Sequence, residues 1–263
     1  MQDLKITFIQ ANLFWKDYRA NLDSFSTKIA QIGPPTDLII LPEMFNTGFV
    51  VQPQEIEKTS APETISWMKE KAAELNIPVC GSMIVEEEER YYNRFYWVWP
   101  DGNTQSYNKR HLFSLGNEHL RFTKGTENIL ISYKGWKIRP LICYDLRFPV
   151  WAKNTYQQGE YEFDLLIYVA NWPAARSFAW KSLLVARAIE NQCYVVGVNR
   201  IGPDGNQTPH QGDSGVIDSK GEWISEKVPN AESIQTIELN GQELQEFREK
   251  FTVGLDWDEF EIL

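Results

Sequence analysis

Cysteine is scarce in this chain. The three present, Cys80, Cys143 and Cys193, lie far apart without a C-x-x-C pair, which argues against a disulfide framework or a zinc ribbon and points to reduced thiols. Histidine is equally rare. His111, His119 and His210 show no H-E-x-x-H spacing and no neighbouring cysteine ligands, so no metal site is expected and each reads as a polar surface or loop residue. Basic charge is in deficit, with 26 Lys and Arg against 36 Asp and Glu and a net charge of −10. Nucleic acid and anionic membranes therefore drop out as leading partners, because phosphate neutralisation needs clustered cations and Lys109-Arg110 is the one adjacent basic pair that stands out. Long apolar runs are missing too. Leu165 to Ala170, the longest, is far short of the roughly 20 residues of a membrane span. Met1-Gln2-Asp3 has no basic n-region and Lys5 interrupts the first apolar stretch, so a cytoplasmic location is expected.

What the chain does contain is core material, with 43% hydrophobic and 13% aromatic residues over 263 positions. Repeats, low-complexity tracts and Gly/Ser linkers are absent, so residues 1–263 read as one domain with a C-terminal extension from about 250. Lys5 to Gln10 alternates as a strand, and Leu22, Phe25, Ile29 and Ile32 recur at helical spacing until Gly33-Pro34-Pro35 stops them. Asp37 to Leu41 reads as a buried strand. Ser60-Ala-Pro-Glu63 fits a capping box ahead of a helix carrying Ile65, Met68, Ala72 and Leu75. Pro78 to Val85, Tyr91 to Trp99 and Thr104 to Tyr107 suggest an antiparallel meander. Further strands are expected at 129–133, 136–142, 165–169, 193–198, 215–217 and 234–237, and helices near 150–157 and 178–190. A sheet covered by helices on one face leaves the other face wet unless a second sheet packs there. An α/β fold of four layers, an α-β-β-α sandwich, satisfies the pattern, with a doubly wound sheet as the alternative.

Arg139-Pro-Leu-Ile-Cys-Tyr-Asp-Leu-Arg-Phe-Pro149 places Cys143 at the end of an apolar strand, a corner that exposes a side chain beside free backbone N–H groups. A lone cysteine is more often a small buried core residue, so Cys143 by itself proves little. Asp37-Leu-Ile-Ile-Leu-Pro-Glu-Met-Phe45 sets Glu43 just beyond one buried strand, and Tyr107-Asn-Lys-Arg-His-Leu-Phe113 sets Lys109 just after another.

With these three segments the chain resembles the nitrilase, or carbon–nitrogen hydrolase, superfamily, whose Glu, Lys and Cys come from three such strand ends in this order. The resemblance runs from Ile6 to the region around Arg248. Cys143-Tyr-Asp-Leu-Arg-Phe-Pro149, Asn171-Trp172-Pro173-Ala174 and Ala186-Arg-Ala-Ile-Glu-Asn191 are most similar to the omega-amidase branch. That resemblance implies the same sandwich, no cofactor, commonly a homodimer, and hydrolysis of small 2-oxo dicarboxylic acid monoamides such as 2-oxoglutaramate and 2-oxosuccinamate. It also implies a second glutamate, which Glu118 matches, that orients Lys109 or the attacking group. The bland alternative for Glu118 is a solvated loop carboxylate.

Physical reasoning assigns the roles. A thiol with a pKa of about 8.5 is only a few per cent thiolate at neutral pH, so a nucleophilic Cys143 needs a base, Glu43, and a cation, Lys109, to draw its pKa down. Lys109 and the backbone N–H of Tyr144 would then share the charge developing on the amide oxygen. An anionic substrate calls for a planar, bidentate donor, and Arg147 and Arg176 are the candidates, although Arg147 could instead clamp Asp145. Phe45 and Trp172 are candidate apolar walls, with ordinary core as the competing reading. Arg187 and Glu190, three apart on a helix, read as a local ion pair. Competing functions are a Cys–His hydrolase using His111 or His119, a nitrilase proper, and an inactive binding protein that keeps the sandwich.

Overall fold

All three side chains of the strand Leu38–Ile40 are buried, although neighbours along a strand face opposite sides of their sheet. A sheet built on such a strand must be covered on both faces. The protein, described here by a computed structural model at residues 1–33 and 35–262, meets that demand with four layers.

Chain order begins β1 (Leu4–Gln10), α1 (Tyr18–Ile29), β2 (Leu38–Ile40), α2 (Ser60–Leu75), β3 (Val79–Glu87), β4 (Arg90–Val98) and β5 (Thr104–Asn108). It continues through β6 (Ile131–Tyr133), β7 (Trp136–Ile142), β8 (Tyr156–Gln157), β9 (Glu160–Tyr161), β10 (Leu165–Ala170), α3 (Ser177–Asn191) and β11 (Tyr194–Asn199). The last elements are β12 (Ile201–Pro203), β13 (Pro209–Gln211), β14 (Gly215–Ile217), β15 (Ser233–Leu239) and α4 (Gly241–Lys250). One sheet has the order β15-β1-β2-β3-β4-β5 and the other β14-β11-β10-β7-β6.

Leu4, Ile6 and Phe8 of β1 and Leu38 and Ile40 of β2 enter one core together with Ile138 and Ile142 of β7 and Leu165, Ile167 and Val169 of β10. Ile9 and Ile39, on the opposite face, pack instead with Leu22, Phe25 and Ile29 of α1 and Met68 and Ala72 of α2. Helix α3 covers the second sheet through Trp180 and Leu184. Its approach is close enough that a Cβ on Gly197 of β11 would stand 2.6 Å from Leu184 and 2.7 Å from Trp180. Strands β1, β2 and β3 are parallel, as are β7, β10 and β11. The carboxyl ends of β2 and β5 in one sheet, and of β7 and β10 in the other, deliver Glu43, Lys109, Cys143 and Asn171 to a common site.

Three local expectations are corrected. Residues 150–157 form turns and the start of the β8–β9 hairpin, not a helix. The cause is Asn154, whose Oδ1 accepts from the N–H groups of Thr155 and Phe163 (3.1 Å each) while Nδ2 donates to the carbonyls of Phe163 (2.8 Å) and Asn191 (3.1 Å), so a side chain takes the bonds a helix would use. The capping box at Ser60 is not formed. Thr59 is the N-cap without a side-chain bond, and Ser60 Oγ accepts instead from Asn46 Nδ2 at 3.1 Å. Helix α4, polar on most of its surface, was not expected; Asn240 caps it by accepting from the Glu243 N–H at 2.9 Å. Arg187 and Glu190 do form the expected pair at 2.8 Å, and Arg187 also donates to the carbonyl of Leu146. Among the described residues no helix is long and apolar enough to cross a membrane.

Asn154→Ala removes four hydrogen bonds from a buried loop, and a loss of about 2–4 kcal/mol of stability is expected in urea unfolding, with the slope of the transition unchanged.

Candidate active site

Cys143 follows β7 directly, with φ +44°, in the left-handed region that costs a side chain with a Cβ. The turn is held by Asp145, which is fully buried and accepts from the N–H of Ile142 at 3.0 Å. The same carboxylate accepts from the Tyr107 hydroxyl at 2.8 Å and the His111 N–H at 2.9 Å, and its Oδ1 lies 2.8 Å from His111 Nδ1. Asp145 therefore ties the cysteine turn to residues on both sides of Lys109.

Lys109 is bracketed by carboxylates. Its Nζ donates to Glu43 Oε1 at 2.9 Å and to both oxygens of Glu118, at 3.1 and 3.0 Å. All three side chains are buried. Glu43 Oε1 also accepts from Asn93 Nδ2 at 2.7 Å, and Oε2 from the backbone N–H of Asn171 at 2.7 Å. Glu118 Oε2 accepts from the Phe113 N–H at 2.6 Å. Burial alone would drive the ammonium of Lys109 toward its neutral form, but Glu118 and Glu43 outweigh it and hold the pKa above its ordinary value. Burial raises that of Glu118, with Lys109 opposing and Glu43 reinforcing.

Burial and then the negative charge of Glu43 push the Cys143 thiol well above the ordinary range, and Lys109 only partly offsets them. These surroundings favour the neutral thiol over the thiolate. Cys143 Sγ donates to the Asn171 carbonyl at 3.9 Å.

The sulfur opens on a cavity of about 170 Å³, the scale of a small metabolite. Lys109, Tyr144, Arg147, Trp172 and Arg176 line it as expected candidates. The Arg147 guanidinium lies over the Trp172 ring, 4.8 Å from its centroid, and that of Arg176 lies 5.3 Å from the Phe113 centroid. Asp145 is engaged elsewhere, so the proposed Arg147 clamp is not formed. Phe45 is not a cavity wall. Met44 has φ +43°, and the turn directs Phe45 into the helix-covered core, edge-on to Phe25 at 5.5 Å and beside Trp67 at 5.9 Å. Phe49 and Phe113 provide the aromatic walls instead.

Other contributors escaped the sequence reading. The hairpin β12–β13 brings Asp204, Thr208 and His210 to the cavity. His210 is buried, not superficial, and burial, aided by Arg200, lowers its pKa to about 4. His111 stacks on Phe148 at 3.7 Å and is bound to Asp145, while His119 is exposed. Asn93 carried a usable signal: it shares the inward face of β4 with Phe95 and Trp97, a lone amide among buried aromatics.

A carbon-nitrogen hydrolase family pattern matches residues 5–249. The chain belongs to the carbon–nitrogen hydrolase family. It is 43% identical over 262 residues to the omega-amidase YafV of Escherichia coli K12, covering 100% of both chains. A 2-oxoglutaramate amidase of Bacillus subtilis is 33% identical over 94% of this chain and 95% of its own. A carbon–nitrogen hydrolase superfamily protein of Xanthomonas campestris, crystallised with an arsenic adduct in its active site, superposes with a TM-score of 0.96 at 42% identity over 100% of both chains.

This carbon–nitrogen hydrolase thus acts on amide C–N bonds from a fold that its solved relatives share. The charge of Glu43 opposes ionisation of Cys143, so Glu43→Gln is expected to move alkylation of Cys143 by iodoacetamide to lower pH, read as the pH of half-maximal rate by mass spectrometry. An unchanged midpoint would show that the two groups do not interact.

Proposed function

We propose that the protein is an omega-amidase, hydrolysing the terminal amide of 2-oxo dicarboxylic acid monoamides such as 2-oxoglutaramate and 2-oxosuccinamate. The observation that carries this reading is one small cavity with Cys143 and Lys109 at its floor and two guanidinium groups, Arg147 and Arg176, in its wall. Arginine can receive a carboxylate through paired N–H donors, and among the described residues neither arginine is in a salt bridge. The similarity to the E. coli omega-amidase and the B. subtilis 2-oxoglutaramate amidase supports the same substrate class. A local pair of cations serves an anionic substrate despite the net charge of −10.

Glu43 accepts the proton of Cys143 as the sulfur bonds to the amide carbon, and Lys109 with the Tyr144 N–H holds the oxygen that turns negative. The proton passes from Glu43 to the nitrogen, the C–N bond breaks and ammonia leaves a thioester on Cys143. Water then attacks that carbon, giving a proton to Glu43, and the C–S bond breaks as the sulfur recovers it. Glu118 keeps Lys109 charged and in place throughout; Glu118→Gln should lower turnover without unfolding the protein. The Arg147 face and Trp172 accommodate the acid end. No residue in this scheme calls for a metal or organic cofactor.

The protein is further read as a cytoplasmic homodimer. Three free thiols fit a reducing compartment. Helix α3 offers a partner face in Phe178, 84% exposed, and Ile189, one stripe of the helix left uncovered by its own chain. Light scattering should give twice the chain mass, and Phe178→Asp should shift it toward the monomer.

Ammonia release from 2-oxoglutaramate, 2-oxosuccinamate, glutamine, asparagine and matched nitriles tests the assignment. The 2-oxo amides are expected to be preferred and Cys143→Ser to abolish turnover. Arg147→Ala and Arg176→Ala should raise KM for 2-oxo acid amides more than for neutral amides. Preference for glutamine over its 2-oxo analogue would overturn the substrate, and activity in Cys143→Ser the mechanism.

A further inference from the structure

Asn93 hydrogen-bonds to all three charged members of the buried cluster. Its Nδ2 donates to Glu43 Oε1 at 2.7 Å and to Glu118 Oε1 at 3.3 Å, and its carbonyl accepts from the Lys109 N–H at 2.9 Å. The side chain is fully buried and lies outside the cavity lining, so it cannot meet substrate in this arrangement.

A carboxylate offers about four acceptor positions, two on each oxygen. On Glu43, Oε1 is filled by two donors, Asn93 Nδ2 and Lys109 Nζ. Oε2 holds one, the Asn171 N–H, and keeps a position open. Cys143 Sγ reaches toward the carbonyl of the same Asn171, the residue whose N–H marks the Oε2 side of the carboxylate. We propose that Asn93 is a positioning residue which, by occupying Oε1 of Glu43, makes Oε2 the oxygen that takes the proton from Cys143 and returns it to the leaving nitrogen.

The consequences follow from charge as well as from direction. The charged and titratable groups facing Glu43 are Lys109, Glu118 and Cys143, and without Asn93 the two carboxylates lose the one amide donor that they share. Glu43 Oε1 would then be held by Lys109 alone, and the plane of the carboxylate would be less constrained. An amide is suited to this post where a second cation is not: it donates to both carboxylates yet leaves the cluster able to release a proton. Aspartate there would add a third negative charge.

This inference rests on Glu43 acting as the base toward Cys143. The test uses full-length protein with Asn93→Ser, Asn93→Asp, Glu43→Gln and Cys143→Ser, assayed as ammonia release from 2-oxoglutaramate across pH. Asn93→Ser should lower kcat about tenfold to a hundredfold, the scale of one hydrogen bond to a charged group, with KM within about twofold. Asn93→Asp should be lower still. Thermal unfolding and circular dichroism accompany each variant, and a folded Asn93→Ser protein with kcat within twofold of wild type, or with its loss carried by KM instead of kcat, overturns the proposal. Substantial activity in Glu43→Gln or Cys143→Ser would instead overturn the underlying triad, an outcome the Asn93 variants do not produce.

Discussion

The pairing of one buried ammonium with two buried carboxylates is the constraint on which the site depends. Lys109 lies within 3.1 Å of oxygens from both Glu43 and Glu118. Removing three ions from water is costly, and it is tolerated because every carboxylate oxygen also receives an N–H, from Asn93, Asn171 or Phe113. Loss of Lys109 would leave two buried carboxylates without a counter-charge, a penalty of about 3–5 kcal/mol. The ammonium is locked in its charged form, which suits a group that must meet a developing oxyanion. Burial, reinforced by the charge of Glu43, disfavours the ionised form of Cys143 in the same cluster.

The sandwich provides the rigidity this cluster requires. Glu43 comes from one sheet and Cys143 from the other, so their separation is set by how the two sheets pack. Asp145 adds a second constraint by gripping Tyr107 and His111 in one direction and Ile142 in the other. A shift of either loop would break several hydrogen bonds at once. The cavity wall is built differently. Arg147 and Arg176 lean on aromatic faces, and the β12–β13 hairpin contributes a neutral His210 and an Asp204 whose Oδ1 accepts from Asn206 and Thr208 N–H groups at 2.8 and 2.9 Å. Chemistry is fixed by strand ends, and recognition by the loops that roof them.

Much of this was legible in the linear sequence. Alternating or continuous apolar runs located the principal strands, and the need to cover both faces of Leu38–Ile40 led to four layers. Glu43, Lys109 and Cys143 each follow such a run, and the resemblance to the carbon–nitrogen hydrolases joined three weak signals into one site. The residues that deceived did so for local reasons. Of the two readings open for Phe45, wall or core, the left-handed turn at Met44 selects the core, and Asn154 spends the chain's hydrogen bonds where a helix is expected.

What the sequence determined by itself is the layer architecture, the three strand-end residues and their family, because hydrophobic period and motif spacing are properties of neighbours along the chain. What only the tertiary structure decided is the state and company of those residues. Whether Lys109 can lower the thiol depends on how many carboxylates stand nearby and how much water is excluded, and the two glutamates that answer it are separated by 75 positions, at 43 and 118. His210 and Phe49 join the site through packing alone, and the partners of Asn93 are likewise set there, since electrostatic energy depends on distance in space and on burial, neither of which a local pattern contains.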